Sequence, residues 1–205
     1  MNPKHALLTL ALALASNTAA LAAPVNVALG KAVTVTGAVG NSTFGAWPDP
    51  APAALSTIVD GNFLGEGTHW QFDTVWWNEN PGPNGAPSPA LGNVIEIDLG
   101  GVFSITSLSI QADNNEIYDI AYRDESGVWT ALASAGAVGG AGMRTRSAPA
   151  AVVATAFRID ARDGDAYYSV SEFQAIGEAI PEPATTLLLA LGGLGLVAAG
   201  RRRPR

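Results

Sequence analysis

The middle of this 205-residue chain predicts an all-β fold, an antiparallel β-sandwich. Three observations carry that expectation. Short apolar runs alternate with polar residues at a period of two, which is the spacing of a strand buried on one face. Polar Gly- and Asp-rich turns separate those runs. No long stripe at helical spacing occurs, so strands must pack on strands.

The elements follow in order. Ile95, Ile97 and Leu99 alternate with Glu96 and Asp98. Tyr118, Ile120 and Tyr122 alternate with Asp119 and Ala121, and Phe157 and Ile159 with Arg158 and Asp160. Gly100-Gly101, Asp124 to Gly127 and Asp163-Gly164-Asp165 are the expected turns between strands. One helical turn is expected at Ala53–Ile58. Asn78 to Asn93 is rich in Pro, Gly and Asn and reads as a long surface loop, of a length that is usually functional or disordered. Ala133 to Gly142, nearly all Ala and Gly, is either a flexible hairpin end or a weakly packed strand junction.

Both ends differ from this middle. Residues 1–22 read as a secretory signal peptide: Lys4 beside His5, an apolar stretch from Ala6 to Ala15, and small residues at Ala20 and Ala22, with cleavage by signal peptidase before Ala23. Residues 181–205 open with Pro181, Glu182 and Pro183, continue through an uncharged run from Ala184 to Gly200, and close on Arg201, Arg202, Arg203 and Arg205. As a helix the run would rise about 25 Å, short of a hydrocarbon core of roughly 30 Å, and snorkelling arginines could close the gap. Positive charge prefers the cytoplasmic side. The glycines weaken such a helix by about 1 kcal/mol each, which suits a temporary anchor better than a permanent one. An ordinary single-span anchor is the alternative.

This tail resembles the PEP-CTERM sorting signal of exopolysaccharide-producing Gram-negative bacteria. The resemblance implies recognition by an exosortase, a transpeptidase-like membrane protease. The chain would cross the inner membrane, be held there briefly, and finish in the outer envelope, on the cell surface or in the extracellular matrix of a biofilm.

Between the ends, residues 23–180 have the size of one domain. There are no cysteines, which excludes disulfides and thiolate chemistry. From Pro24 to Glu178, six cations face 17 acids, a net charge of −11. That balance argues against nucleic acid, whose backbone requires cationic neutralisation. It is compatible with neutral sugars and divalent cations, and plain solubility explains it equally well.

Motif order adds a second resemblance. Asn26 to Val33, Ile58-Val59-Asp60-Gly61-Asn62, Thr68-His69-Trp70, Ile95 to Gly100, Tyr118 to Tyr122, Gly127-Val128-Trp129, Phe157-Arg158-Ile159 and Ser171 to Gly177 occur in the sequence of a discoidin, or coagulation-factor type C, domain. The same order is similar to bacterial family-32 carbohydrate-binding modules. The likeness implies an eight-stranded jelly roll of the galactose-binding type. The Trp usual before the Ile-Asp-Leu-Gly strand is missing, and the Trp70–Asn93 segment is long. Because binding loops vary freely in this family, its ligand does not transfer. Trp70 and Trp129 match positions that the family buries.

Three candidate sites result. Asp60, Asn62 and Thr68 share a Gly-punctuated loop; with Glu172 they offer hard oxygens for Ca²⁺, and the resemblance implies a structural calcium there. An Asx-turn with a surface Glu is the simpler reading. Trp76, Trp77, Asn78 and Asn80 suit a polysaccharide, with a flat ring to stack on a sugar and amides for its hydroxyls. Adjacent Trp on a strand point to opposite faces, so one is expected outside, although capping the core is the alternative. Trp47 is a further loop aromatic. Catalysis is not expected, because His69 is the only histidine left after export and the sequence gives no reason to unite it with a Ser or Asp in a triad. Asp163 and Asp165 sit in a turn that explains them without glycoside hydrolysis. The reading is therefore an exported, non-catalytic glycan-binding sandwich. A structural matrix protein working through protein contacts, or an exported hydrolase, are the alternatives.

Overall fold

Alternation of apolar and polar residues produces longer strands than the short runs suggest. The computed structural model describes residues 23–40, 50–80 and 87–180. The expected signal peptide (1–22), the expected sorting tail (181–205, including Pro181, Glu182, Pro183, Arg201, Arg202 and Arg203), Trp47 and the middle of the Pro/Gly loop lie outside the described residues. The strands are β1 (Val25–Asn26), β2 (Ala32–Val35), β3 (Val75–Asn78), β4 (Val94–Ala112), β5 (Ile117–Arg123), β6 (Trp129–Ala135), β7 (Arg144–Arg162) and β8 (Tyr167–Ala179). One 3-10 turn at Leu55–Val59 replaces the helical turn expected slightly earlier. Among the described residues no helix is long and apolar enough to cross a membrane.

All pairings are antiparallel. The main path runs β1-β8-β4-β7-β5-β6, with β2 added to β4 and β3 to β8. The two 19-residue strands, β4 and β7, serve both layers of the sandwich. They can do so because β4 is irregular. Between Asp98 and Phe103 it loses register with β7, and Gly100 there takes φ +68°, a conformation that favours glycine. Gly100-Gly101 is therefore a bulge inside one strand, where the sequence suggested a turn between two. A second irregularity lies between Ile105 and Ser107. It shifts the buried phase from Ile95, Ile97, Leu99 and Ile105 to Leu108, Ile110 and Ala112, as an extra residue in a period-two strand must.

The apolar core lies between the layers. Phe157 and Phe173 meet at 5.2 Å between ring centroids, and Tyr168 bridges Trp77 at 5.6 Å to Tyr118 at 6.5 Å. Among the described residues this buried cluster extends from Val27 to Ala175. Among the described residues the 23–180 segment thus contains its own core. The chain enters and leaves side by side, since Val25 of β1 pairs with Gly177 of β8.

Candidate functional site

Four loops converge at the end of the sandwich where β8 begins: residues 66–74, 113–116, 137–143 and 163–167. Backbone bonds tie them together. Gly67 N–H donates to Met143 O (2.9 Å), Met143 N–H to Thr68 O (2.8 Å), and Val138 N–H to Asn114 O (2.8 Å). Gly142 makes the first junction possible. Its φ is +64°, and a Cβ there would stand 2.2 Å from the Thr68 carbonyl.

On this end lies a run of rings. His69 packs against Phe72 (5.0 Å) and Trp70 (5.9 Å), and Trp70 against Tyr167 (5.5 Å). Phe72 is 48% exposed; His69, Trp70 and Tyr167 are half-buried. Trp70 also meets the edge of Trp76 at 89°. A folded chain gains nothing from leaving such rings in water, which makes a partly exposed aromatic group a candidate contact surface.

Beneath the rings are acids. Asp113 and Glu116 are buried, while Asp165 is exposed on the neighbouring turn. The loss of water pushes the Glu116 carboxyl up to about 9, with Asp113 and Asp165 adding repulsion. Burial likewise raises Asp113, against the opposing influence of Asn114, Arg146 and His69. Neither Glu116 oxygen makes a hydrogen bond of normal geometry, although Asp165 approaches closely enough to alter its proton affinity. Local sequence offered no signal for this cluster, because 113–116 and 163–165 are far apart in the chain and each reads as a turn.

The residues expected to stack on sugar do not form that surface. Trp76 and Trp77 are both 0% exposed, which corrects the expectation of one outward indole. Strand β3 has both faces covered. The Trp76 indole N–H donates to Pro50 O (3.2 Å) and that of Trp77 to Glu79 Oε1 (3.2 Å). Asn78 is buried as well; its carbonyl accepts Ser88 Oγ (2.5 Å) and its Oδ1 accepts Asn80 N–H (2.8 Å). Asn80 does reach the loop end, where its Nδ2 donates to the Asp165 carbonyl (3.0 Å). Trp70 and Trp129, expected in the core, are only half-buried.

Of the four expected calcium ligands, the structure brings Asp60 and Glu172 together. Gly61, at φ +86°, turns its N–H onto both Glu172 oxygens at 3.1 and 3.2 Å. Burial pushes Glu172 up to about 7, opposed by hydrogen bonds from Gln174 and Gly61 and reinforced by Asp60. Asp60 Oδ1 accepts Asn62 N–H (2.8 Å) in an Asx-turn, and the Thr68 hydroxyl donates to Gly65 O (2.7 Å). Among the described residues no three His, Cys, Asp or Glu side chains form a metal-holding group. Asp60 and Glu172 are hard carboxylate donors of the kind Ca²⁺ takes, and a cation there would need further oxygens to complete its shell.

The two most strongly raised carboxyls, Glu116 and Glu172, set a pH dependence. Each keeps its proton in the folded chain at pH values where the unfolded chain has released it. Stability is then complete below the ordinary carboxylate pKa and is lost as pH rises, toward about 7 for Glu172 and about 9 for Glu116. Thermal midpoints of the metal-free 23–180 body should fall between pH 5 and pH 9. Glu116→Gln should recover roughly 1–3 kcal/mol at the alkaline end, the usual cost of an unsatisfied buried group. A midpoint that rises with pH would contradict this.

A groove of about 640 Å³ lies on the outer face of β4, β7, β5 and β6, against Trp129, Asp119, Ser134, Arg158 and Asp160. Its polar groups are largely engaged already. Arg162 binds Asp119 at 2.6 Å, and the Arg158 guanidinium covers the Trp129 ring at 4.0 Å. The loop end, with open rings and poorly satisfied acids, is the better candidate.

Residues 179–203 match the PEP-CTERM protein-sorting motif. No curated protein matches the chain. Among solved structures, the family-32 carbohydrate-binding module of C. perfringens NanJ, solved with galactose, is 18% identical at a TM-score of 0.48, covering 75% of this chain and 98% of the module. Chitosan-binding module 2 from a Paenibacillus sp. IK-5 chitosanase/glucanase, solved with chitotriose, is 23% identical at 0.47, covering 73% and 98%. The lectin domain of lectinolysin, complexed with Lewis B antigen, is 14% identical at 0.49, covering 75% and 97%. SpGH29 is also similar, at 17% identity and a TM-score of 0.47 over 77% of this chain, which spans only 28% of SpGH29.

Proposed function

We propose that this protein is an exported, non-catalytic glycan-binding sandwich, released by signal peptidase at its front and sorted to the cell envelope or extracellular matrix by an exosortase acting on 181–205. The sorting motif supports the destination. The observation that carries the binding reading is the ring group at the loop end: Phe72 exposed, with His69, Trp70 and Tyr167 half-buried beside it. Aromatic faces stack on the C–H faces of sugar rings, and Asn80 and Asp165, bonded to each other and to Tyr167 N–H, are close by for hydroxyls. His69 is packed among rings, and Glu116 and Asp113 are 0% and 3% exposed, too enclosed to reach a bond in a polysaccharide lying on the rings.

In affinity gels containing extracellular polysaccharide, the 23–180 body should be retarded. Phe72→Ala combined with Tyr167→Ala should weaken binding about tenfold or more, with little change in thermal midpoint. Unchanged retardation of the double variant would refute the assignment.

Calcium is part of the same proposal. Asp60 and Glu172 would hold it together with loop carbonyls, and its chemistry there would be to neutralise two neighbouring carboxylates and pin the loop. Adding Ca²⁺ should raise the thermal midpoint by mass action and chelator should reverse it. Glu172→Gln should remove the response. An identical midpoint with and without Ca²⁺ would leave the Asx-turn as the whole explanation.

A further inference from the structure

We infer that the corner of the sandwich formed by Val102, Val153 and Ile180 docks on the lipid surface through which the chain's own tail passes. This rests on the reading of 184–200 as a membrane span. The three residues lie on or just beyond neighbouring strands, β4, β7 and β8, where β8 ends. Ile180 N–H donates to Val102 O (2.9 Å). Ser104, two residues along β4 and so on the same face as Val102, pairs with Val153 of β7 and Glu178 of β8. Ile180 and Val153 are each 37% exposed, and Val102 is half-buried. Val25, 60% exposed, pairs with Gly177 on the neighbouring stretch of β8. Beside the corner is a hollow of about 340 Å³ lined by Ser104, Thr106, Ala150, Ala151 and Val153, with no charged residue in its wall.

Chain length decides what covers these side chains. The uncharged run opens at Ala184, four residues after Ile180. Four residues reach at most about 14 Å, and the headgroup layer over the hydrocarbon is itself about 5–7 Å deep. With the tail inserted, Ile180 therefore cannot stand more than about 9 Å clear of the headgroups. A short settling movement takes the exposed aliphatic groups out of water. Because the tether already confines the body to the surface, little further freedom is lost. An exposed apolar patch facing a bilayer at that distance has lipid as its nearest partner.

The charges nearby set the depth of contact. Lys31 Nζ lies over the Phe103 ring at 5.3 Å, so a cation stands at the same end for lipid phosphates. Asp98 is held by Gly100 N–H (2.8 Å) and by Arg123 (3.3 Å). Glu178 shares the face of Val153 and Ile180 and is half-buried. Its carboxylate resists leaving water, so the corner meets headgroups and the upper acyl chains and goes no deeper. A body docked in this way holds residues 181–183 at the membrane surface, within reach of a membrane-embedded protease. The corner is then a positioning surface for sorting.

The test uses the exported form, residues 23–205, in vesicles of phosphatidylethanolamine with a minority of phosphatidylglycerol. The chain has no cysteine, so a single introduced one carries a fluorophore wherever it is placed. Val153→Cys reports the corner. Ala141→Cys, exposed among the loops beside the ring group, reports the far end. With brominated acyl chains the label at 153 should lose most of its emission and the label at 141 none. Adding Val102→Asp and Ile180→Asp should restore emission at 153 while the tail stays inserted, as resistance to carbonate extraction reads, because the new charges resist leaving water. Should the double variant unfold, Ile180→Asp alone decides, at a side chain already partly in water. Quenching at 153 that survives the substitutions means the tether alone brings it close, and overturns the dock. Full emission at 153 in the native chain with its tail inserted overturns the dock and leaves the span standing. A tail that carbonate extracts overturns both. Self-quenching at 153 that grows with protein density on the vesicle gives the corner to a second copy of the chain and overturns the lipid contact.

Discussion

Trp77→Ala should destabilise the 23–180 body by about 3–5 kcal/mol, the range for truncating a large buried aromatic. Its indole is 0% exposed, packs against Tyr168 at 5.6 Å and donates to Glu79. Removing it opens a cavity in the layer that joins β3 to β8 and strands the Glu79 acceptor. The loss should appear as a lower urea midpoint. Sugar affinity, measured where the variant is still folded, should change far less than in Phe72→Ala. A Trp77→Ala protein of native stability that no longer binds polysaccharide would restore Trp77 as a contact residue and refute its place in the core.

Gly142→Ala should have the second large effect, and it should join stability to binding. The residue sits at φ +64°, and an added Cβ would overlap the Thr68 carbonyl at 2.2 Å and crowd the Gly67 carbonyl at 2.9 Å. Left-handed strain alone costs about 1–2 kcal/mol, and the overlap with backbone adds to it because no flexible side chain can give way. The 66–68 and 142–143 loops must part, which breaks the Gly67–Met143 and Thr68–Met143 bonds. His69 and Trp70 follow directly on that loop, so the ring group should shift with it. The expected result is a lower midpoint and weaker retention by polysaccharide. Gly92→Ala, with φ +72° but nothing within 4 Å of its Cβ, is the comparison for strain without overlap and should cost clearly less.

Where burial is decided by neighbours in the chain, the fold was legible. Ile95, Ile97 and Leu99, Tyr118 and Ile120, and Phe157 and Ile159 all face the core as their alternation requires. Asp124 to Gly127 and Asp163 to Asp165 do form turns, because Asp side chains cap nearby N–H groups, as Asp124 Oδ1 does for Ser126 at 2.9 Å. Gly100-Gly101 misled because glycine permits a bulge and a turn alike, and only the partner strand decides between them. Trp76 misled for a similar reason. A strand of four residues has two faces, and the segment around Pro50 that covers the second is distant in sequence. The aromatic and acidic loop end was invisible, since its members come from four separated loops and each looks local. Asp60 and Glu172 are neighbours in space because Gly61, at φ +86°, turns its N–H onto Glu172.

Strand β8 has one more consequence. It starts beside the ring group at Tyr167 and ends at Ala179, where the chain continues toward the sorting motif. Thirteen extended residues span about 40 Å. A molecule tethered by its C-terminal side would carry its ring group about the length of β8 away from the tether. If that group binds a glycan as proposed, neighbouring copies on one surface would hold a single long polymer at many points at once. Weak single contacts could add up to firm retention.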